Sequence, residues 1–328
     1  MSRQFVPRPV FPNFQVSQSY FLGHHVTAIG RMREMMNDID LIFEVRDARA
    51  PLSTRNKLFE SILGAKPRII VYTKADISAI DPKIFDHWHP NGDYFVINGK
   101  DFTQISPLIN LAKKFTPFQA SVTGLKTMVV GMPNIGKSTL INSLRFSGTR
   151  RGKAAKTGSS AGVTRKIPTL VKILENPSIM IYDTPGVSFP SITDSTTLLT
   201  LSVLGCTNTT IIDPLVQADY TLYQMNKIDP TGGMYKRYCE PTNDILRFLT
   251  EYCQSMGKIA KGGYADIAGA ANQWLISWRK GNEGKIVYDD FTNLNAYKEW
   301  EEANLPYVPN NVKPVKYKIK YKKGQKSQ

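Results

Sequence analysis

The residues with the clearest chemistry lie in segment 131–138 (GMPNIGKS), which fits the pattern G-x-x-x-x-G-K-[ST]. An apolar run, 126–130, precedes it, and a stretch with helical character, 139–146, follows it. Glycines let backbone N–H groups close around phosphates, and the start of a helix adds a favourable dipole. Lys137 can reach the β- and γ-phosphates, and Ser138 can supply an oxygen to Mg²⁺. The segment therefore predicts the P-loop of a nucleoside triphosphatase.

A second motif, 183–186 (DTPG), follows another apolar run. Asp183 at the end of a strand can hold Mg²⁺ through a water molecule, and the Gly186 N–H can meet the γ-phosphate. Between the two motifs, Thr164 can complete the metal shell when the γ-phosphate is present, which makes 148–166 a candidate switch loop. We expect phosphate chemistry to depend on Lys137 and Thr164.

Two segments could recognise the base, since guanine requires a carboxylate for its N1–H and exocyclic amine, normally within [NT]-K-x-D at the end of a strand. Segment 73–76 (TKAD) follows a β-branched run, 68–72, that is typical of a buried strand. Segment 226–229 (NKID) instead ends a stretch with helical spacing. We therefore predict that Asp76 recognises guanine and that Lys74 lays its methylene stem over the base. A site built on such hydrogen bonds rejects other bases by roughly 10⁴–10⁵-fold.

Asn98 and Gly99 end another predicted strand, 94–97, and can supply the backbone contact to the guanine oxygen. The base motifs then precede the P-loop, switch loop and DTPG, which is a circular permutation of the usual GTPase order. The same site is assembled with the chain termini moved elsewhere on the sheet. The other predicted nucleotide-binding positions are Thr73, Ala75, Asn134, Ile135, Gly136 and Thr139.

Short apolar runs alternate with helical stretches up to about residue 190, which indicates an α/β domain with a mostly parallel sheet and flanking helices. Beyond that point the strand-like runs disappear. We expect a small C-terminal α-helical domain, in which Trp274 and Trp278 pack into the core. The predicted units are an N-terminal extension with possible targeting function (1–20), the circularly permuted P-loop GTPase domain (21–190), a helical RNA- or ribosome-binding domain (191–290) and a Lys-rich tail (291–328).

The charge of the chain favours a polyanionic partner. Lys and Arg total 42 against 27 Asp and Glu, giving a net charge of +15 and a pI near 9.6. The excess is clustered in three blocks: an N-terminal stretch (1–33), a loop-like stretch (141–174) and the tail after residue 302. No apolar run approaches the roughly 18–20 residues that span a bilayer, so a transmembrane protein is excluded. A basic protein adapted to a basic compartment remains the alternative.

The sequence resembles the circularly permuted ribosome-biogenesis GTPases of the ribosome biogenesis GTPase A group, and its organellar branch, the mitochondrial GTPase 1 proteins, most closely. Segment 47–51 (DARAP) matches the DARxP segment of the group, and 21–24 (FLGH) matches its FPGH segment with leucine in place of proline. Segments 262–266 and 284–286 resemble its helical domain. The resemblance implies a GTPase acting late in large-subunit assembly, as a monomer, in the mitochondrial matrix at the periphery of the inner membrane.

Hydrolysis is expected to be slow without help, because the position after DTPG is Val187, where many GTPases place a glutamine that orients water. Unassisted small GTPases turn over at roughly 10⁻⁴ s⁻¹ and gain about 10⁵-fold with assistance. The resemblance implies two substitutes. Asn134 matches a P-loop asparagine that helps to hold K⁺, and His24 matches a histidine that approaches the nucleotide on the ribosome. A surface or RNA-contacting role for His24 stays open.

Three functions remain as hypotheses. The first is a GTP-hydrolysing assembly factor that binds the mitochondrial large subunit and its rRNA. The second is a weakly hydrolysing, GTP-dependent switch that recruits partners, which Val187 permits but the complete set of phosphate-binding residues disfavours. The third is a GTPase whose Lys-rich tail binds an anionic membrane surface.

Overall fold

The computed structural model of the chain describes residues 5–12, 23–64, 66–115, 124–152, 155, 169–188, 194–208, 211–257, 265–291 and 293–304, without the side chains of 23–26. Six strands form one sheet within these residues. They are β1 (Leu41–Asp47), β2 (Arg68–Thr73), β3 (Tyr94–Val96), β4 (Leu125–Gly131), β5 (Thr169–Leu174) and β6 (Ile179–Asp183).

The strand order in the sheet is β3-β2-β1-β4-β6-β5. All neighbouring strands are parallel except β5, which pairs antiparallel with β6 at the edge. The strand that leads into the P-loop, β4, therefore lies at the centre between β1, from the earlier half of the chain, and β6. The predicted circularly permuted α/β fold is confirmed.

The predicted strands 68–72, 94–97 and 126–130 match β2, β3 and β4 to within a residue at each end, whereas β5 was not predicted. Its side chains alternate between exposed and buried, as expected for an edge strand with one face toward solvent. The strand therefore lacks the continuous β-branched run that marked the buried strands. Strand β5 packs against the last turn of the helix that follows the P-loop. Gly148 in that turn lies so close to the carbonyl of Ile173 that a Cβ would not fit.

Ten α-helices occur within the described residues. Five of them come up to and including the helix that follows the P-loop, and five come after Asp194. They are α1 (Gly23–Met35), α2 (Lys57–Leu63), α3 (Lys83–Trp88), α4 (Phe102–Lys114), α5 (Lys137–Thr149), α6 (Ser195–Val203), α7 (Pro214–Ile228), α8 (Ile245–Ser255), α9 (Ile267–Arg279) and α10 (Ala296–Asn304). An aspartate caps the N-terminus of each of α4, α6, α7, α8 and α9 by accepting backbone N–H bonds. Helix α5 begins at Lys137, two residues before the predicted start.

One hydrophobic core extends from one face of the sheet into the later helices. It joins β-strand residues such as Phe43 and Val129 to Leu198, Tyr220 and Trp274. Trp274 is fully buried, which confirms its predicted packing role. Because the later helices share this core with the sheet, they are held rigidly against the domain that carries the P-loop. No helix among the described residues has the length and apolar character needed to cross a bilayer.

Residues 5–12, within the predicted N-terminal extension, pack on α7. Arg8 forms a bidentate ion pair with Asp219, with N–O distances of 3.0 and 2.5 Å. Phe11 contacts the ring of Tyr220 at a centroid distance of 5.2 Å, and the Val6 carbonyl accepts a bond from the Asn243 amide at 2.8 Å. This part of the extension therefore contributes to the folded helical region.

We expect Arg8→Ala to lower the free energy of unfolding by about 1–2 kcal/mol, because a partly buried bidentate pair is lost. Urea denaturation followed by circular dichroism measures the change. Arg247→Ala is the matched control, since Arg247 pairs with Glu251 on the exposed surface of α8; its cost should stay below about 0.5 kcal/mol. Equal effects of the two substitutions would contradict a structural role for residues 5–12.

Candidate nucleotide-binding site

The P-loop connects β4 to α5 through backbone conformations that need glycine. Gly131 has φ 152°, and a Cβ there would lie 2.6 Å from the carbonyl oxygen of Val45 in the neighbouring strand. Gly136, at φ 106°, directly precedes the first residue of α5, and Asn134 adopts φ 58°. The loop therefore wraps tightly against the sheet and ends at the free N–H groups of a helix, which is the arrangement that binds phosphate.

Lys137 lies inside the loop rather than in solvent. Its Nζ donates to the carbonyl oxygens of Gly131 at 3.1 Å and Met132 at 2.7 Å. Burial lowers the pKa of Lys137 to about 8, and Asp183 partly opposes this shift. An ammonium group held only by neutral carbonyls gains strongly from an anionic ligand, so the geometry fits a phosphate-binding lysine.

The DTPG motif lies beside the P-loop. Asp183 ends β6, is 5% exposed, and its Oδ1 is buried without a hydrogen-bond partner among the described residues. Burial raises the pKa of Asp183, while Lys137 lowers it. A Cβ on Gly186 would lie 2.6 Å from the Pro133 Cα and 3.0 Å from the Lys137 Nζ. The structure therefore brings 131–138 and 183–186 together, as predicted.

The donor set fits Mg²⁺ of the kind that nucleotides carry. Among the described residues no group of three or more His, Cys, Asp or Glu side chains could hold a metal ion alone. Mg²⁺ usually keeps several waters and binds one or two protein oxygens plus substrate phosphates. The unpaired Asp183 oxygen and Ser138, the second residue of α5, are suitable protein partners.

The predicted guanine motif, 73–76, follows β2 and contacts the P-loop directly. Lys74, at φ 61°, donates from Nζ to the Asn134 carbonyl at 2.7 Å and to Asp47 at 2.8 Å. The Thr73 hydroxyl donates to the carbonyls of Ile135 and Arg46. Asp76 is exposed and hence available to a ligand.

The second predicted base loop also lies at this site. The Ala75 N–H donates to the Ile97 carbonyl at 3.2 Å, which joins the two base loops. The Ser143 hydroxyl of α5 donates to the Gly99 carbonyl at 2.5 Å, and a Cβ on Gly99 would contact Thr139 at 3.6 Å. Asn98 uses its side chain to accept the Lys100 N–H. The structure thus brings both base loops to the start of α5.

The competing motif, 226–229, was predicted to lie at the end of a helix. Its asparagine lies in α7, so this prediction is confirmed. Asn226 is fully buried, donates to the Thr242 carbonyl at 2.8 Å and accepts the Tyr235 hydroxyl at 2.5 Å. Asp229 ends the helix and accepts local bonds from Thr231. These bonds stabilise the turn after α7, so the motif has a structural explanation.

Asp47 is the site residue to which the sequence analysis gave no role. It ends β1, is fully buried, and binds Arg49 through two N–O contacts at 2.8 and 3.0 Å as well as Lys74. Burial alone would raise the pKa of Asp47, but the two cations hold it well below its usual range. The sequence signal that could have identified Asp47 was its position, as an acidic residue, at the end of a buried strand next to β4.

Val187 belongs to the hydrophobic core. It is fully buried with Met128 and Val130, and its carbonyl accepts the Asn56 amide at 2.9 Å. The Val187 N–H donates to the Gly131 carbonyl at 3.3 Å. Its side chain therefore cannot orient a water molecule.

Several predicted residues cannot be located. Thr164 and most of the switch loop lie outside the described residues, and so does the Lys-rich end of the chain. His24 lies in α1, but its side chain is also outside the description. Asn134, predicted to help hold K⁺, donates its side-chain amide to the Gly205 carbonyl at 2.8 Å.

Comparison with known proteins gives consistent results. Residues 126–236 match the family described as 50S ribosome-binding GTPase. The mitochondrial GTPase 1 of Schizosaccharomyces pombe is 33% identical over 309 residues, covering 87% of this chain and 93% of that protein. The mitochondrial ribosome-associated GTPase 1 of Xenopus tropicalis is 33% identical over 302 residues, covering 82% and 94%. The crystal structure of GNP-bound YlqF from T. maritima matches with a TM-score of 0.51 at 21% identity, over 79% of this chain and 96% of that one.

A matched pair of substitutions tests which motif recognises guanine. Asp76→Asn should weaken GTP binding by about 100-fold or more, because the amide cannot accept both guanine N–H groups. The same variant should bind XTP more tightly than the parent, since the amide can donate to the 2-oxygen of xanthine. Asp229→Asn should change neither affinity. Titrations with fluorescent nucleotides provide the measurement, and the reverse pattern would make 226–229 the base site.

A second pair separates stability from nucleotide binding. Asp47→Asn should lower the free energy of unfolding by about 3–5 kcal/mol, because buried Arg49 loses its counter-ion. Lys74→Gln leaves the Asp47–Arg49 pair intact, so its stability cost should be below about 1 kcal/mol. Its GTP affinity should nevertheless fall by about tenfold. Denaturant titration and nucleotide binding measure the two effects; similar stability losses would contradict this division of roles.

Proposed function

The chain belongs to the mitochondrial GTPase 1 family and is a GTP-hydrolysing enzyme, and on that premise we propose that it drives a late step in assembly of the mitochondrial large ribosomal subunit. One observation carries the proposal: Lys74 of the guanine motif donates to the carbonyl of Asn134 in the P-loop. This bond joins the predicted base motif to the predicted phosphate motif, which supports a single GTP site. The names of the relatives supply the mitochondrial and ribosomal context.

On the phosphate side, we assign charge neutralisation to Lys137, which would exchange its carbonyl partners for β- and γ-phosphate oxygens. Ser138 and Asp183 would hold Mg²⁺, the latter through water, and Thr164 would complete the shell. When bound, Mg²⁺ would neutralise the charge that develops on the phosphates. The Gly186 N–H would bind the γ-phosphate, so the loss of that group on hydrolysis would be felt at the DTPG motif.

On the base side, Asp76 would accept the two guanine N–H groups and Lys74 would cover the ring. The loop of Asn98 and Gly99 would donate to the guanine oxygen. Thr73 would act indirectly: its hydroxyl binds two backbone carbonyls, one in the P-loop, and so positions the motif. Ala75, Ile135, Gly136 and Thr139 would contribute contacts around the nucleotide.

Turnover should be slow in the free protein, because Val187 is committed to the core. The missing assistance would come from K⁺, held with the help of Asn134, and from His24 on the ribosome-bound enzyme. Large gains are physically reasonable, since assisted GTPases accelerate by about 10⁵-fold.

The ribosomal partner is supported by charge. A net charge of +15 favours binding to rRNA, and the proposed contacts are the basic switch loop, the helical domain from about residue 191 and the Lys-rich tail. The chain would act as a monomer in the matrix, at the periphery of the inner membrane.

Two features favour functions other than the proposed one. The buried Val187 favours a weakly hydrolysing switch that recruits partners in its GTP state. The lysines of the tail favour a GTPase acting at an anionic membrane surface. Removing residues 305–328 tests the membrane-surface alternative. Loss of liposome binding with RNA binding retained would support the membrane function.

GTP hydrolysis in K⁺ buffer with purified mitochondrial large subunits tests the proposed function. We expect stimulation of at least about tenfold, because the ribosome supplies what Val187 lacks. Small subunits and Na⁺ buffer are the controls and should give little stimulation. Lys137→Ala should abolish the activity, and His24→Ala should lose only the stimulated part.

Binding of large subunits in the GTP state without stimulation would instead identify a recruiting switch. Absence of both binding and stimulation would remove the ribosomal assignment.

A further inference from the structure

We propose that Phe102, Phe146 and Arg150 form a surface that binds single-stranded RNA by stacking on unpaired bases. We call these three residues the ring surface. The inference rests on the proposed function and deepens it, because it assigns one RNA contact to particular side chains. None of the three residues is among the proposed nucleotide contacts, and Arg150 lies at the start of the candidate switch loop, 148–166.

The two rings form a pair at the protein surface. Their centroids are 4.7 Å apart with an interplanar angle of 38°, and Phe102 and Phe146 remain 44% and 38% exposed. By contrast, phenylalanines such as Phe43, Phe85 and Phe248 are fully buried in the core. Phenylalanine has no polar group that would favour exposure, so two adjacent exposed rings indicate a surface with a ligand.

Arg150 adds a planar cation to the same surface. Its guanidinium lies 6.0 Å from the centre of the Phe146 ring. Arg150 directly follows α5 with φ 58°, where glycine is the favoured residue. An arginine in this conformation costs about 1 kcal/mol relative to glycine, which suggests that its side chain serves a purpose.

The surrounding charge favours a polyanion. The ring surface lies partly in the stretch 141–174, which contains no acidic residue, and Lys100 is exposed nearby in sequence. Of the neighbouring acids, Glu175 is paired with Arg151 at 3.1 Å, and Asp101, which accepts bonds from Thr103 and Gln104, keeps its negative charge.

Single-stranded RNA is the occupant that uses both features. Bases stack on aromatic rings without strict sequence preference, and arginine binds the phosphates or stacks in turn. Paired RNA offers no free base faces in its helical interior. The ring surface is also linked to the nucleotide site, because Phe102 closely follows Gly99 in the chain, and the Gly99 carbonyl accepts the Ser143 hydroxyl of α5.

Fluorescence anisotropy with a labelled single-stranded RNA of about ten nucleotides tests the inference in the full chain. Combining Phe102→Ala with Phe146→Ala should weaken binding by about tenfold or more without changing its salt dependence. Arg150→Gly should weaken binding and reduce the slope of log K against log salt by about 0.7, the value of one phosphate contact. It should leave the thermal midpoint unchanged or raised, because glycine suits φ 58°.

Leu246→Ala provides the matched control, since Leu246 is 52% exposed on α8, and it should not alter RNA binding. Cross-linking to 4-thiouridine RNA, mapped by mass spectrometry, separates the ring surface from the Lys-rich tail. Cross-links at Phe102 or Phe146 are the expected result.

RNA affinity unchanged by the ring substitutions, together with cross-links confined to other segments, would overturn the inference. If the parent still binds large subunits, the proposed function then stands. If RNA binding depends on the two rings but the parent chain does not bind large subunits, the ring surface is supported and the ribosomal function is removed. If the ring substitutions abolish binding to phosphatidylserine vesicles but leave RNA binding intact, the inference is overturned in favour of a lipid surface.

Discussion

The buried carboxylate of Asp47 is the constraint on which the rest of the site depends. Two cations, Arg49 and Lys74, converge on it inside the protein, and the pair with Arg49 keeps this buried charge stable. Lys74 then contacts the P-loop, and the Arg49 carbonyl accepts the Tyr288 N–H at 2.8 Å. One charged centre therefore connects the base loop, the phosphate loop and the segment after α9.

The permuted chain order gives these connections their significance. The segment after α9 makes further contacts with the early half of the chain. Among them, Asp289 accepts bonds from the backbone of Leu52 and Ser53, and Gly281 lies against Ile77. Meanwhile the DTPG motif leads directly into the later helices. The helical region is thus attached to the predicted base motif through packing and to the predicted phosphate motif through the chain itself, so it contacts both halves of the proposed nucleotide site.

Local sequence was sufficient where function demands a particular residue at a particular spacing. Segments 131–138 and 73–76, with their flanking strands, could be predicted because glycine conformation, lysine reach and β-branched runs leave clear patterns. The edge strand β5 and the role of Asp47 could not, because an edge strand lacks a continuous apolar run and a buried ion pair depends on which strands become neighbours. The exposure of Phe102 and Phe146 was equally hidden, since an aromatic residue in an amphipathic helix normally indicates a core position.

The docking of residues 5–12 on α7 also sets an order of events during synthesis. Residues 5–12 are synthesised well before α7, which ends at Ile228, so their binding site does not exist until that helix has been made. Until then Arg8 and Phe11 remain accessible to chaperones. Folding later packs them against α7, so the same residues are exposed in the nascent chain and take part in the folded structure afterwards.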